Sequence, residues 1–289
     1  MRLNPFDPSN IRVGSGGGGG FPGGAGGGVG CGAIVIALIG ALVFGIDPGT
    51  TLGTIDAVQQ GTGGGGQVEQ LGDAQSVQQI CGANEYATEA CNALDSLNRT
   101  WQPLFQQANI PFQQPMLQFY SGGVRSGCGS ASASSGPFYC PADHGIYIDT
   151  SFYEVMERQL GARGDFARYY VMAHEYGHHV QNMTGLADQI RSAQAQNPRA
   201  ANQLQVRMEL QADCYAGVWA GRNRNLIEPG DMEEGMNAAA AIGDDRLTGG
   251  RVSAENFTHG TSQQRMEWLN RGLQTADEDQ CDTFADLRR

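Results

Sequence analysis

Lysine is absent: the eighteen basic residues are all arginine, set against thirty acidic ones, and the formal net charge is −12. An acidic chain without basic clusters lacks the electrostatic grip on phosphates that nucleic-acid binding requires, so that partner class is excluded. Charge of either sign is sparse, at 17% of residues, below the quarter or so of an average globular chain. No internal repeat is evident. The missing lysine carries no functional reading of its own. At 289 residues the chain is about twice a typical domain length, which suits one large domain with extensions.

Glycine is what the chain has in excess, with 43 residues. Thirteen of the nineteen positions from Gly14 to Gly32 are glycine, leaving nothing to pack, so residues 1–28 are expected to form a disordered tail. Val29 to Ile46 then runs for eighteen residues without a charged side chain, at the lower edge of a membrane-spanning length. A cleaved signal peptide has a shorter apolar core close behind a basic start and a small-residue cleavage site, neither of which is present. A buried core helix fits poorly between glycine-rich flanks. The stretch therefore reads as a single-pass anchor. Arg2 and Arg12 precede it and no basic residue follows until Arg99, so the N-terminus is expected in the cytoplasm and the remainder outside, in a bacterial periplasm or at the cell exterior.

Cysteine usage agrees with export. Cys31 falls inside the apolar stretch, whereas Cys81, Cys91, Cys128, Cys140, Cys214 and Cys281 all follow it. Six cysteines in an oxidising compartment form up to three disulfides, with fifteen possible connectivities. Nearest-neighbour pairing gives Cys81–Cys91, Cys128–Cys140 and Cys214–Cys281; spacing supports the first two, and the third rests on elimination.

Residues 47–73 read as a Gly/Gln/Thr-rich stalk and residues 74–289 as the folded domain. Within it, 74–108 is helical, 122–136 is a Ser/Gly-rich loop, and 137–149 holds either a pair of short strands about a turn or a strand after a loop. Helices are expected at 151–160, 165–183 with Asp165 as N-cap, 198–222, 231–242 and 262–273. Strands followed by many helices give an α+β class, mostly helical with a small sheet.

The helix at 165–183 carries His174-Glu175-Tyr176-Gly177-His178. Residues i and i+4 lie on one helix face, so His174 and His178 present two imidazoles to one point, as ligands of a tetrahedral Zn²⁺ must. Glu175 is placed to accept a proton from water as general base. Two histidines one turn apart can also decorate a helix surface, and a catalytic site needs a third ligand. Glu209 and Asp213 supply a second i,i+4 pair in a helix that looks buried, and buried carboxylates require a cation. We assign Glu209 as the third ligand of a single catalytic zinc. Asp213 is assigned as the acceptor that fixes the tautomer of His174.

HEYGHHVQ (174–181), ELQADCYAGVWA (209–220), PFYCPAD (137–143) and THGTSQQRMEWLNRGL (258–273) resemble the bacterial, membrane-anchored family of "putative neutral zinc metallopeptidases" and, more broadly, the gluzincins. The resemblance covers nearly the whole chain. It implies a zincin-like fold, ligands His174, His178 and Glu209, Glu175 as base, and Asp213 as the orienting carboxylate. His259, in Thr258-His259-Gly260 with Arg265 following, is similar to a T-H-P…R segment whose histidine stabilises the oxyanion. Glycine in place of proline departs from that pattern, and a simpler reading makes His259 a loop residue before a helix capped by Thr261 or Ser262. Arg265 reads as a structural ion-pair partner. Tyr176 and Tyr215 are other candidate oxyanion donors or plain core, His179 points about 100° away from the ligands, and His144 has no assigned role.

Three functions compete on this evidence. The first is a membrane-anchored peptidase whose substrate is a protein or peptide lying against the 137–149 segment. The others are a tethered zinc-binding scaffold and a zinc hydrolase of non-peptide amides such as cell-wall crosslinks.

Overall fold

The computed structural model describes residues 1–16 and 74–288. The apolar stretch 29–46, with Cys31, and the stalk at 47–73 lie outside them. No described helix is long and apolar enough to cross a membrane.

Residues 1–16 belong to the domain, which corrects the expectation that the whole of 1–28 is disordered. Arg12–Ser15 forms strand β1 and pairs in parallel with β2 (Met116–Tyr120), setting Val13 opposite Leu117. Both of those side chains are buried in the main core. Asn98 donates to the Asn10 carbonyl at 2.7 Å, and the Phe6 N–H donates to Asn92 at 2.9 Å. Met1 is buried, its amino group 2.8 Å from Asp231 and 3.1 Å from Asp165. Residues 1–16 therefore lie on the same side of any membrane as residues 74–288. The expected cytoplasmic N-terminus opposite an exported domain is corrected accordingly, because a single crossing between the two parts would pull β1 out of its sheet.

Two helices follow the undescribed stretch, α1 (Ala74–Cys81) and α2 (Glu85–Gln107), joined by the Cys81–Cys91 disulfide. Asn84 caps α2 by accepting the Ala87 N–H at 2.9 Å, satisfying one of the donors a helix start leaves free. The sheet then grows from β2 by a parallel pairing with β6 (Gly145–Asp149), and β5 (Phe138–Cys140) pairs antiparallel with β6. Its order is β1-β2-β6-β5, so β5 is an edge strand. Of the two expectations for 137–149, the strand pair is the one that forms. The Ser/Gly-rich 122–136 segment, expected as a loop, instead holds a hairpin of β3 (Gly123–Ser126) and β4 (Gly129–Ser132), tied to β5 by Cys128–Cys140.

The rest is helical: α3 (Ser151–Arg158), α4 (Asp165–Met183), α5 (Leu186–Gln196), α6 (Ala201–Arg222), α7 (Asp231–Ala241), α8 (Asp244–Leu247) and α9 (Ser262–Thr275). Asp165 is the first residue of α4 rather than its cap; Gly164 holds the cap position. Helix α6 is apolar on several sides, as a helix buried within a domain must be, and packs between α4 and α9. Two glycines set the α6–α9 approach. A Cβ on Gly217 would lie 2.1 Å from the Leu269 carbonyl oxygen, and one on Gly272 would lie 1.9 Å from that of Cys214. The third disulfide, Cys214–Cys281, ties α6 to the segment after α9, so all three nearest-neighbour pairs form. The described fold is α+β and mostly helical.

Candidate metal centre

Helix α4 buries residues around its whole girth from Phe166 to Gly177, so His174 faces protein, while His178 one turn later is partly exposed. His174 and His178 sit one turn apart with ring centroids 4.8 Å from each other. Helix α6 brings Glu209 and Asp213, also one turn apart, to the same place. Gly177, inside the His-Glu-Tyr-Gly-His run, permits the approach: a Cβ there would stand 2.9 Å from both the Cα and the carbonyl oxygen of Ala212. Any larger residue would push apart the helices that supply the two halves of the site.

The hydrogen bonds fix which nitrogen of each ring faces inward. A carboxylate only accepts, so His174 donates Nδ1–H to Asp213 Oδ1 at 2.8 Å, and its Nε2 faces Glu209 Oε2 at 3.2 Å. His178 donates Nδ1–H to Gln181 Oε1 at 2.9 Å, and its Nε2 lies 3.5 Å from the same Glu209 oxygen. The other Glu209 oxygen accepts from Gln205 at 2.8 Å. Ligand atoms of His174, His178 and Glu209 all lie within 4.8 Å of one another. These three side chains make a group that could hold a metal ion, and two histidines with a glutamate are a donor set that suits Zn²⁺. A second acidic group, Asp165, Asp231 and Glu234, has the Met1 amino group bonded to its two aspartates.

Asp213 is fully buried and compensated. Arg265, itself 1% exposed, donates to both of its oxygens at 2.9 Å, and Tyr170 donates its hydroxyl at 2.6 Å. Burial pushes the Asp213 pKa up, but Arg265 and His174 outweigh it and hold the group below its usual value. Burial disfavours a charged His174, yet Asp213 and Glu209 raise its pKa to about 9. Burial likewise raises Glu209, and His178, His174 and His259 together hold it well below the carboxylate range. Glu175 differs. Burial raises its pKa, the two histidines offset this only in part, and the Tyr139 N–H of edge strand β5 lies against its carboxylate. It stands beside the donor set without joining it.

His259 is buried and fixed from behind. Its Nδ1–H donates to Asp244 Oδ1 at 3.0 Å, and the backbone N–H groups of Thr258, His259 and Gly260 all donate to Asp244 Oδ2 at 2.6 to 3.1 Å. Thr261 caps α9 through a reciprocal bond with Gln264, as expected of the loop reading, and the charge of His259 is one of the influences that lower the Glu209 pKa. Gly260 has φ +85°, a conformation proline cannot adopt, which accounts for the departure at that position. Asp244, Gln181 and Gln205 had not been singled out in the sequence. Gln181 and Gln205 were findable from helical spacing, three residues after His178 and four before Glu209. Asp244 was not, since its partner lies fifteen residues away across a loop.

Tyr176 donates to Asn98 at 2.8 Å and Tyr215 packs edge-on against Trp101, so both belong to the core. His144 lies 6.0 Å from His179, ring to ring. His179 faces away from the donor set, donating Nε2–H to the Gln113 carbonyl at 2.7 Å and accepting from Tyr139. Burial pushes its pKa down to about 4, although the Gln113 carbonyl works in the opposite sense. The unfolded imidazole titrates near 6.5, so between these values the unfolded chain binds a proton that the fold rejects. Stability from this residue is complete above about pH 6.5 and is lost as pH falls toward about 4, by roughly 3 kcal/mol in all. Urea midpoints measured from pH 7.5 to 4.5 should decline less steeply in His179→Gln than in the wild type. An identical decline would show that His179 is not the group responsible.

Two histidines on α4 and a glutamate on α6, with the buried Glu175 beside them, make up a candidate metal centre. The chain belongs to the family described as "putative neutral zinc metallopeptidase", whose model matches residues 7–284. An uncharacterised protein of Escherichia coli K12, YpfJ, is 52% identical over 191 residues, covering 64% of this chain and 67% of that one. An uncharacterised protein of Mycobacterium tuberculosis, Rv2575, is 42% identical over 207 residues, covering 66% of this chain and 68% of that one. No solved structure matches the chain.

Proposed function

We propose that the protein is a zinc metallopeptidase that hydrolyses peptide bonds in the oxidising space outside the cytoplasm. The carrying observation is Glu175: a buried carboxylate with a raised pKa, beside the donor set but outside it, has no use in a purely structural metal site. His174, His178 and Glu209 would hold one Zn²⁺, which supplies Lewis acidity and makes water nucleophilic near neutral pH. Glu175 accepts the proton of the attacking water and returns it to the leaving amine. His259, its Nδ1–H held by Asp244, stabilises the developing oxyanion by donating an Nε2–H as the imidazolium. Edge strand β5 lies directly beside Glu175, and an extended peptide can add to it by main-chain pairing, which sets the scissile carbonyl near the base.

The three disulfides support an extracytoplasmic location. Attachment to a membrane through residues 29–46 rests on the sequence alone. Only an arrangement that leaves residues 1–16 beside residues 74–288 is compatible with the fold.

Because β1 is part of the domain, the test uses the full chain, loaded with zinc and incubated with casein and with peptidoglycan. Casein cleavage that stops on chelation and returns with zinc is expected. Peptidoglycan release without casein cleavage would favour the amide hydrolase, and cleavage of neither the zinc-holding scaffold.

A further inference from the structure

The two metal-facing histidines are oriented by different means. His174 donates to a charged carboxylate, which can only accept. His178 donates to an amide, and an amide offers a donor as readily as an acceptor. Gln181 would serve His178 equally well, sterically, with its NH₂ turned toward the ring. In that state His178 accepts at Nδ1, carries its proton on Nε2, and aims an N–H instead of a lone pair at the metal position.

Two backbone carbonyls prevent this. Gln181 Nε2 donates to the Met208 carbonyl at 2.8 Å and to Gln211 Oε1 at 3.0 Å, which commits its oxygen to His178. Gln211 can accept there only because its own Nε2 donates to the Cys281 carbonyl at 3.0 Å. Turning either amide over would bring oxygen against oxygen in a dry environment, since Gln181, Gln211 and Cys281 are all buried. The chain from the Cys281 carbonyl through Gln211 and Gln181 to His178 thus has a single direction. Cys281 is held where it is by the disulfide to Cys214 on α6, one residue beyond Asp213. Arg207 fastens the next turn by donating to the Thr283 carbonyl at 2.7 Å and pairing with Asp286.

We propose that Gln181 and Gln211 are positioning residues that tie His178 to the segment held by the Cys214–Cys281 disulfide, so that zinc affinity depends on that disulfide. The proposal rests on the assignment of His174, His178 and Glu209 as the metal site.

The test measures zinc affinity of the full chain by competition with a chromogenic chelator, with Co²⁺ absorption as a record of ligand geometry. Gln181→Met should weaken zinc binding about 10- to 100-fold and alter the Co²⁺ spectrum. Gln181→Glu keeps an acceptor for the His178 Nδ1–H but sets its second oxygen against the Met208 carbonyl and Gln211 Oε1, so it should recover part of the affinity lost in Gln181→Met. Gln211→Met and the double variant Cys214→Ala/Cys281→Ala should fall between wild type and Gln181→Met; Gln211→Met also serves if Gln181→Met does not fold. Wild-type affinity in Gln181→Met, or equal losses in the Met and Glu variants, would overturn the orienting role. Wild-type affinity in the double cysteine variant would overturn the link to the disulfide. A wild-type chain that binds no zinc would overturn the metal assignment itself and this proposal with it.

Discussion

Glu175→Gln is expected to lower kcat/KM for peptide hydrolysis by about 10³-fold, within the range general acid–base catalysis supplies, with zinc content unchanged. Glutamine has the same shape and keeps an oxygen for the Tyr139 N–H, so packing beside β5 is retained. It cannot accept a proton from water. Because Glu175 lies outside the group that converges on the metal position, its neutral replacement leaves all three ligands in place. Burial disfavours the charged form in the wild type, which brings the carboxyl nearer to proton exchange at neutral pH than an exposed glutamate would be. Metal analysis and a fluorogenic peptide assay on one preparation would check both halves of the expectation. A rate within tenfold of wild type would exclude Glu175 as the base, and lost zinc would move it into the ligand set.

The parts of the site legible in sequence were those governed by helical spacing. His174 with His178, and Glu209 with Asp213, are each one turn apart, and a period of 3.6 residues sets their common direction without knowledge of the fold. What joins the two pairs is non-local. Gly177 reads in sequence only as an uncharged residue between ligands, and its role against Ala212 becomes visible once α4 and α6 cross. Asp244 and His259 meet through a loop that has no periodicity to exploit. Strand β1 was hidden for a related reason: its context is glycine-rich, and its partner β2 lies about a hundred residues away in the chain. Helix α5 was missed because its Gln- and Ala-rich sequence has weak apolar patterning and buries only Ala187 deeply. In the β3–β4 hairpin, serine and glycine carry strand pairing that composition assigns to a loop.

Glu209→Ala should weaken zinc binding by two to three orders of magnitude, on the basis of about 3 kcal/mol for each ligand of a protein zinc site. Glu209 does more than add a third donor. The Nε2 atoms of the two imidazoles lie 3.2 Å and 3.5 Å from one of its oxygens, and its negative charge is one of the influences that raise the pKa of His174 and His178. Alanine leaves two rings with nothing to define the point between them, and strands the amide of Gln205, which now donates to Glu209 at 2.8 Å. Gln205→Met is the control, since it removes that hydrogen bond while leaving the ligand set intact, and it should cost at most about the tenfold to hundredfold of an outer hydrogen bond. Unchanged stoichiometry and affinity in Glu209→Ala would remove it from the ligand set and leave Asp213 as the other α6 carboxylate that reaches His174. Asp213 is poorly suited to that role, because both of its oxygens are already engaged by Arg265, with His174 and Tyr170 on one of them. The two buried glutamates are thus separable by experiment: loss of the one beside the ligands stops turnover and keeps the metal, and loss of the one on α6 releases the metal.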